Sequence, residues 1–156
     1  MGNGYLIRCV NCNYEYRALL GYGMLFPTVY QETVEGIKEG KFGEEYQKFF
    51  EEHPDAAVNC EAYMAICQDC GAFDTVKSMS LFLPKKSDDK TVNVGCLTFQ
   101  EIKEGYKIAK KYPHKCSSCG GTLKPIDLID KLSQKAVRCP VCKGEMQLTP
   151  DLLLWD

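Results

Sequence analysis

The chain has 156 residues, 45% of them hydrophobic and 26% charged, with a formal net charge of −2. That composition is ordinary for one globular domain or two small ones. No run approaches the roughly 20 apolar residues that span a bilayer, which excludes a helical membrane protein.

The opening residues, MGNGYLIRC, do not read as a secretory leader, and Leu6 stands where a myristoylation motif wants Ser or Thr. Tyr5 to Tyr16 predicts strand, Cys-x-x-Cys turn, strand. The glycines and Pro27 of LLGYGMLFP mark a loop, an unusually apolar one. Thr28 and Gln31 suggest a capping box for a short helix carrying Val34 and Ile37, which Gly40 to Gly43 interrupts. A second helix, Glu44 to His53, buries Tyr46, Phe49 and Phe50 and stops at Pro54. The two helices, about 28–53, read as an insertion.

Val58 to Ile66 alternates, placing Val58, Cys60, Ala62, Met64 and Ile66 on one face of a strand, although its alanines also permit a helix. After CQDCG, Phe73 to Leu83 predicts another strand. Lys85 to Lys90 is a polar turn, and Thr91 to Cys96 returns to complete a hairpin. Thr98 with Glu101 forms a capping box and Leu97 with Ile102 a staple, so a helix starts here. Phe99, Ile102, Tyr106 and Ala109 continue its apolar face until Tyr112-Pro113 ends it. CSSCGGTLKPI, a short apolar helix or turn around Asp127 to Leu132, and AVRCPVCKGEMQL complete the chain. The natural division lies near 95–97, giving segments 1–95 and 96–156 that share a plan of pair, insertion, pair.

Eight of the ten cysteines form four Cys-x-x-Cys pairs: Cys9 and Cys12, Cys67 and Cys70, Cys116 and Cys119, Cys139 and Cys142. Disulfide frameworks spread their cysteines. Repeated x-x spacing presents two thiolates from one turn to a single soft cation, and four thiolates suit Zn²⁺. A reducing compartment, the cytoplasm, fits such thiols. The 19 residues between Cys119 and Cys139 match the usual zinc spacing. The expected sites are therefore Cys9, Cys12, Cys67 and Cys70 around one zinc, and Cys116, Cys119, Cys139 and Cys142 around a second. Joining Cys67 and Cys70 to Cys116 and Cys119 is the alternative, at the expense of two long loop closures.

RCVNCNYEY resembles the first knuckle of rubredoxin, ICQDCGAF resembles a zinc-ribbon knuckle, and the segment about 116–148 resembles a whole zinc ribbon. These likenesses imply an α+β fold in which small antiparallel hairpins surround two Cys₄ centres. Iron is the less favoured metal that a rubredoxin-like knuckle implies. Closed Cys₄ sites contribute folding energy and leave no position at which to activate water.

Neither His53 nor His114 is needed as a ligand, although His114 is placed to support the second site. Cys60 and Cys96 fall on apolar strand positions. Residues 1–95 carry a net charge of −5 and residues 96–156 one of +3. Two Zn(Cys)₄ centres take the formal total to −6, unfavourable for broad phosphate binding. Lys103, Lys107, Lys110, Lys111 and Lys115 nevertheless offer a local nucleic-acid contact, with Tyr106 and Tyr112 nearby for stacking. No catalytic constellation is present in the sequence. The expectation is a non-enzymatic zinc protein acting as a protein-interaction module through GYGMLF, the lysine helix or the LLLW tail. Nucleic-acid binding and iron-based electron transfer are the alternatives.

Overall fold

A computed structural model describes residues 2–86 and 97–155. The fold is α+β. In chain order the elements begin with β1 (Gly2–Cys9), β2 (Glu15–Leu20), α1 (Phe26–Lys38), α2 (Glu44–Glu52), β3 (Ala57–Val58), β4 (Ala62–Cys67), β5 (Phe73–Lys77) and β6 (Leu81–Pro84). They continue with α3 (Phe99–Gly105), β7 (Tyr106–Lys110), β8 (Leu123–Pro125), α4 (Leu128–Ser133) and β9 (Met146–Trp155). The strands form three antiparallel sheets, ordered β2-β1-β9, β5-β4-β8 and β3-β6-β7.

Two compact units result. One comprises residues 1–23, 62–77 and 113–156; the other comprises 24–61 and 78–112. The chain thus alternates between units instead of dividing once near 95–97. The predicted strand over 58–66 breaks where the units meet in sequence: Val58 ends β3 and Ala62 begins β4, in different sheets. Cys60 lies between them, buried but outside any strand. The predicted strand over 73–83 likewise splits into β5 and β6 around Met79, whose φ is +54°. Alternation in both stretches carries across a junction that a periodicity of two does not register. The return strand at Thr91 to Cys96, and Cys96 itself, fall outside the described residues.

In the first unit, the sheets β2-β1-β9 and β5-β4-β8 repeat one plan. A hairpin of two strands is joined by a third strand, antiparallel to the hairpin's first. Arg8 faces Glu15 across the first hairpin, and Ile66 faces Phe73 across the second. Cys9 pairs with Met146 as Cys67 pairs with Leu123. Ile7, Ala18, Met64, Leu128, Val137 and Met146 form one buried cluster, so the two sheets share a core. Tyr16 ties them further. Its hydroxyl donates to Asp74 Oδ1 (2.9 Å), accepts from the Thr75 N–H (2.8 Å), and its ring meets Phe73 edge-on.

In the second unit, α1 and α2 pack as a hairpin, with Tyr30 and Ile37 of the first and Tyr46 and Phe50 of the second buried. Helix α1 begins at Phe26, two residues before Thr28. Its N-cap, Leu25, makes no side-chain cap, and Pro27 in the first turn sets the backbone instead. Helix α3 does carry the predicted capping box at Thr98 and Glu101, with Ile102 fully buried and Leu97 packed beside it. It ends seven residues before Tyr112. Gly105 weakens the helix, Lys85 Nζ donates to the carbonyls of Lys103 and Glu104 (3.0 and 2.9 Å), and β7 pairs with β6 as a strand.

Replacing Tyr16 with Phe removes the hydroxyl that bonds Asp74 and Thr75 and leaves the Thr75 N–H only the Asp74 Oδ1 (2.8 Å) as acceptor. The expected loss is about 1–2 kcal/mol of unfolding free energy, measured by urea denaturation of the metal-loaded protein.

Candidate metal centres

All four Cys-x-x-Cys turns share one backbone. The N–H of each first cysteine donates to the carbonyl five residues on, at 2.7–2.9 Å: Cys9 to Tyr14, Cys67 to Ala72, Cys116 to Gly121 and Cys139 to Gly144. The residue after each second cysteine has positive φ, at Asn13, Gly71, Gly120 and Lys143. This geometry curls each turn so that backbone N–H groups point at the sulfurs. The Asn11 N–H reaches Cys9 Sγ and the Gly121 N–H reaches Cys119 Sγ, both at 3.4 Å. In every pair the first cysteine is buried and the second exposed.

The turns meet in twos, and the partners differ from the sequential expectation. Cys9 and Cys12 join Cys139 and Cys142, while Cys67 and Cys70 join Cys116 and Cys119. The grouping of Cys9 and Cys12 with Cys67 and Cys70, and of Cys116 and Cys119 with Cys139 and Cys142, is corrected. So is the reading of 116–148 as one ribbon, because its two knuckles belong to different centres. Strand pairing is the cause: β9 follows Cys142 and pairs with β1, and β8 follows Cys119 and pairs with β4. One centre is nested inside the other along the chain. Loop length is a weak deterrent, since each doubling costs only about 0.6 kcal/mol.

Across the outer centre, Cys9 Sγ lies 3.4 Å from Cys142 Sγ, and Cys12 Sγ 3.5 Å from Cys139 Sγ. Across the inner one, Cys67 and Cys119 are 3.5 Å apart and Cys70 and Cys116 3.7 Å. Disulfide sulfurs stand about 2.05 Å apart. A tetrahedron with metal–sulfur bonds of about 2.3 Å has edges of about 3.8 Å. The donor sets fit a Cys₄-bound metal ion at each centre.

The clustered sulfurs compete for protons. Backbone N–H groups of Ser118 and Cys119 draw the Cys116 thiol down to about 7. The Gly121 N–H acts the same way on Cys119, but the sulfurs of Cys70 and Cys67 outweigh it and hold that thiol up at about 12. Burial pushes the Cys9 thiol up, yet the N–H groups of Asn11 and Cys12 bring it to about 7. At Cys12 the Tyr14 N–H lowers the thiol, but the Cys142 sulfur and burial leave it at about 12. A divalent cation removes this competition by accepting all four as thiolates.

Glycine distinguishes the knuckles. A Cβ on Gly144 would lie 2.6 Å from Asn11 Nδ2 and 3.1 Å from Cys9 Sγ, and one on Gly121 would press on the Asp69 carboxylate and sit 3.0 Å from Cys67 Sγ. Tyr14 and Ala72 occupy the matching place in the other two knuckles. Each centre therefore combines a knuckle that lacks this glycine with one that has it. The sequence carried that signal: sequential pairing joins like with like.

The remaining candidates stand apart. His114 packs edge-on against Tyr63, and His53 ends α2 beside Phe49. Neither belongs to a sulfur cluster. The lysines do not form one helix face. Lys103 is on α3, Lys107 and Lys110 on β7, Lys111 follows that strand, and Lys115 precedes a knuckle in the other unit. Lys110 is also paired with Glu45. The LLLW tail is part of β9, its backbone paired with β1. No helix among the described residues is long and apolar enough to cross a membrane.

No protein-family model, curated protein or solved structure matches the chain.

Replacing Cys12 and Cys142 together with Ser is expected to abolish one centre and leave the other, so that elemental analysis finds one metal ion per chain. Sequential pairing would have damaged both centres. Gly121→Ala is expected to weaken the inner centre about tenfold or more in chelator competition, because the added methyl pushes on a ligand sulfur.

Proposed function

We propose that this is a non-enzymatic zinc protein whose two structural Cys₄ centres frame a protein-interaction module. The carrying observation is that all eight paired cysteines fall into two closed sets of four with tetrahedral-scale spacing. Soft thiolates favour zinc among the common divalent ions. Four protein ligands leave no open coordination position for substrate or activated water, which suits a structural role. A reducing compartment such as the cytoplasm would keep the eight thiols available.

Support for the interaction role comes from the apolar loop. Met24 and Leu25 of GYGMLF are 69% and 64% exposed, more than a loop needs for packing. Nucleic-acid binding is the second reading, and its lysines, Lys103, Lys107, Lys110, Lys111 and Lys115, are distributed over α3, β7 and the approach to a knuckle.

Elemental analysis of purified protein is expected to give two zinc per chain and a colourless visible spectrum; a red, iron-bearing sample would replace the reading with electron transfer. Because the ligands must be thiolates, protons compete with the ion. Zinc affinity and metal-derived stability should fall as pH drops through and below neutrality, as followed by chromogenic chelation. For the module role, Met24→Ser with Leu25→Ser should abolish crosslinking to the partner while leaving zinc content unchanged; retained crosslinking would move the contact elsewhere.

A further inference from the structure

The two centres offer an internal comparison, because backbone, register and exposure of the ligands match while the knuckle side chains do not. The outer loops read CVNCNY and CPVCKG, and the inner loops CQDCGA and CSSCGG. Asn11 and Asp69 occupy the same place: the side chain of each, and the first sulfur of its own knuckle, both border the spot where a Cβ on the facing knuckle's glycine would fall. The outer loops carry one cation, Lys143, and no anion; the inner loops carry one anion, Asp69, and no cation. Flanking strands even out the formal charge of the two centres, leaving the difference at the tips. Arg8 and Arg138 flank the outer knuckles and face Glu15 and Glu145, whereas Lys115 and Lys124 flank the inner ones and face Thr122 and Ile66, so the contrast rests on Asp69 and Asn11 at the knuckle tips and not on net charge. The outer tip also exposes Val10 and Val141 where the inner has Gln68 and Ser118.

A Zn(Cys)₄ centre is formally a dianion. A carboxylate against it raises electron density on the sulfurs and favours any reaction that neutralises one of them. A nearby ammonium does the reverse. We propose that the inner centre is a modification site for soft carbon electrophiles and surrenders its zinc on reaction, while the outer centre holds its ion. The exposed thiolates, Cys70 and Cys119, are the points of attack. With a maleimide, the sulfur forms a carbon–sulfur bond as the ring's C=C π bond breaks, and the resulting enolate takes a proton from water. The thioether that remains is uncharged and a poor zinc ligand, so Zn²⁺ passes to solvent. The inference goes beyond the interaction-module reading and shares only its premise that both centres carry zinc.

The test uses the full zinc-loaded chain, excess N-ethylmaleimide and a chromogenic zinc chelator, with peptide mass mapping at intervals. The expected result is two phases of one ion each. Label on Cys70 or Cys119 accompanies the first, and label on Cys12 or Cys142 the second. Asp69→Asn should slow the first phase by about three- to tenfold, and Asn11→Asp should accelerate the second by a similar factor. The two substitutions are near-isosteric and are checked by zinc content; should one fail to fold, the other carries the test. A single phase, the reverse order, or rates indifferent to both substitutions would overturn the proposal alone. Fewer than two zinc ions in the starting protein would overturn it together with the zinc reading.

Discussion

The first unit depends on one pairing: the strand that leaves a second knuckle lies antiparallel to the strand that enters a first knuckle. Cys9 opposite Met146 and Cys67 opposite Leu123 put the two turns of each centre tip to tip. Only in that register do four sulfurs converge at tetrahedral spacing. A slip of one residue would turn the paired side chains to the opposite face and break the shared core. The metal and the sheet specify each other. Short strands have too little apolar surface to hold their register alone, and the sulfurs have too little geometry to choose a partner without the strands.

Much of this was legible from residue types. Cys-x-x-Cys marked every knuckle, and Thr98 and Glu101 marked the start of α3. Local chemistry acts within a few residues, and there the reading and the structure agree. Disagreement begins where the outcome depends on distant segments. Tyr106 to Lys110 continues a helical pattern, yet β6 supplies an edge that makes it a strand. Alternation from Val58 to Ile66 is real, but two sheets divide it.

The pairing of the knuckles is the most instructive case. Spacing favoured neighbours, and the 19-residue interval within the C-terminal half looked decisive. Spacing measures only the entropy of closing a loop, which varies slowly with length. Steric complementarity varies steeply. Gly121 and Gly144 leave room for Asp69 and Asn11, and no other arrangement of the knuckles that avoids crossing connections gives each centre one of each kind.

The nesting also sets an order in time. During synthesis the first two knuckles both emerge before either of the last two, and the combination that would join them is the wrong one. The outer centre's second half, Cys139 and Cys142, follows Cys12 by more than 120 residues. At roughly 5–20 residues per second, Cys9 and Cys12 wait on the order of ten seconds for their proper partners. A nascent chain in abundant zinc therefore has time to close on the wrong neighbour, and accuracy rests on how poorly two knuckles of the same kind fit together.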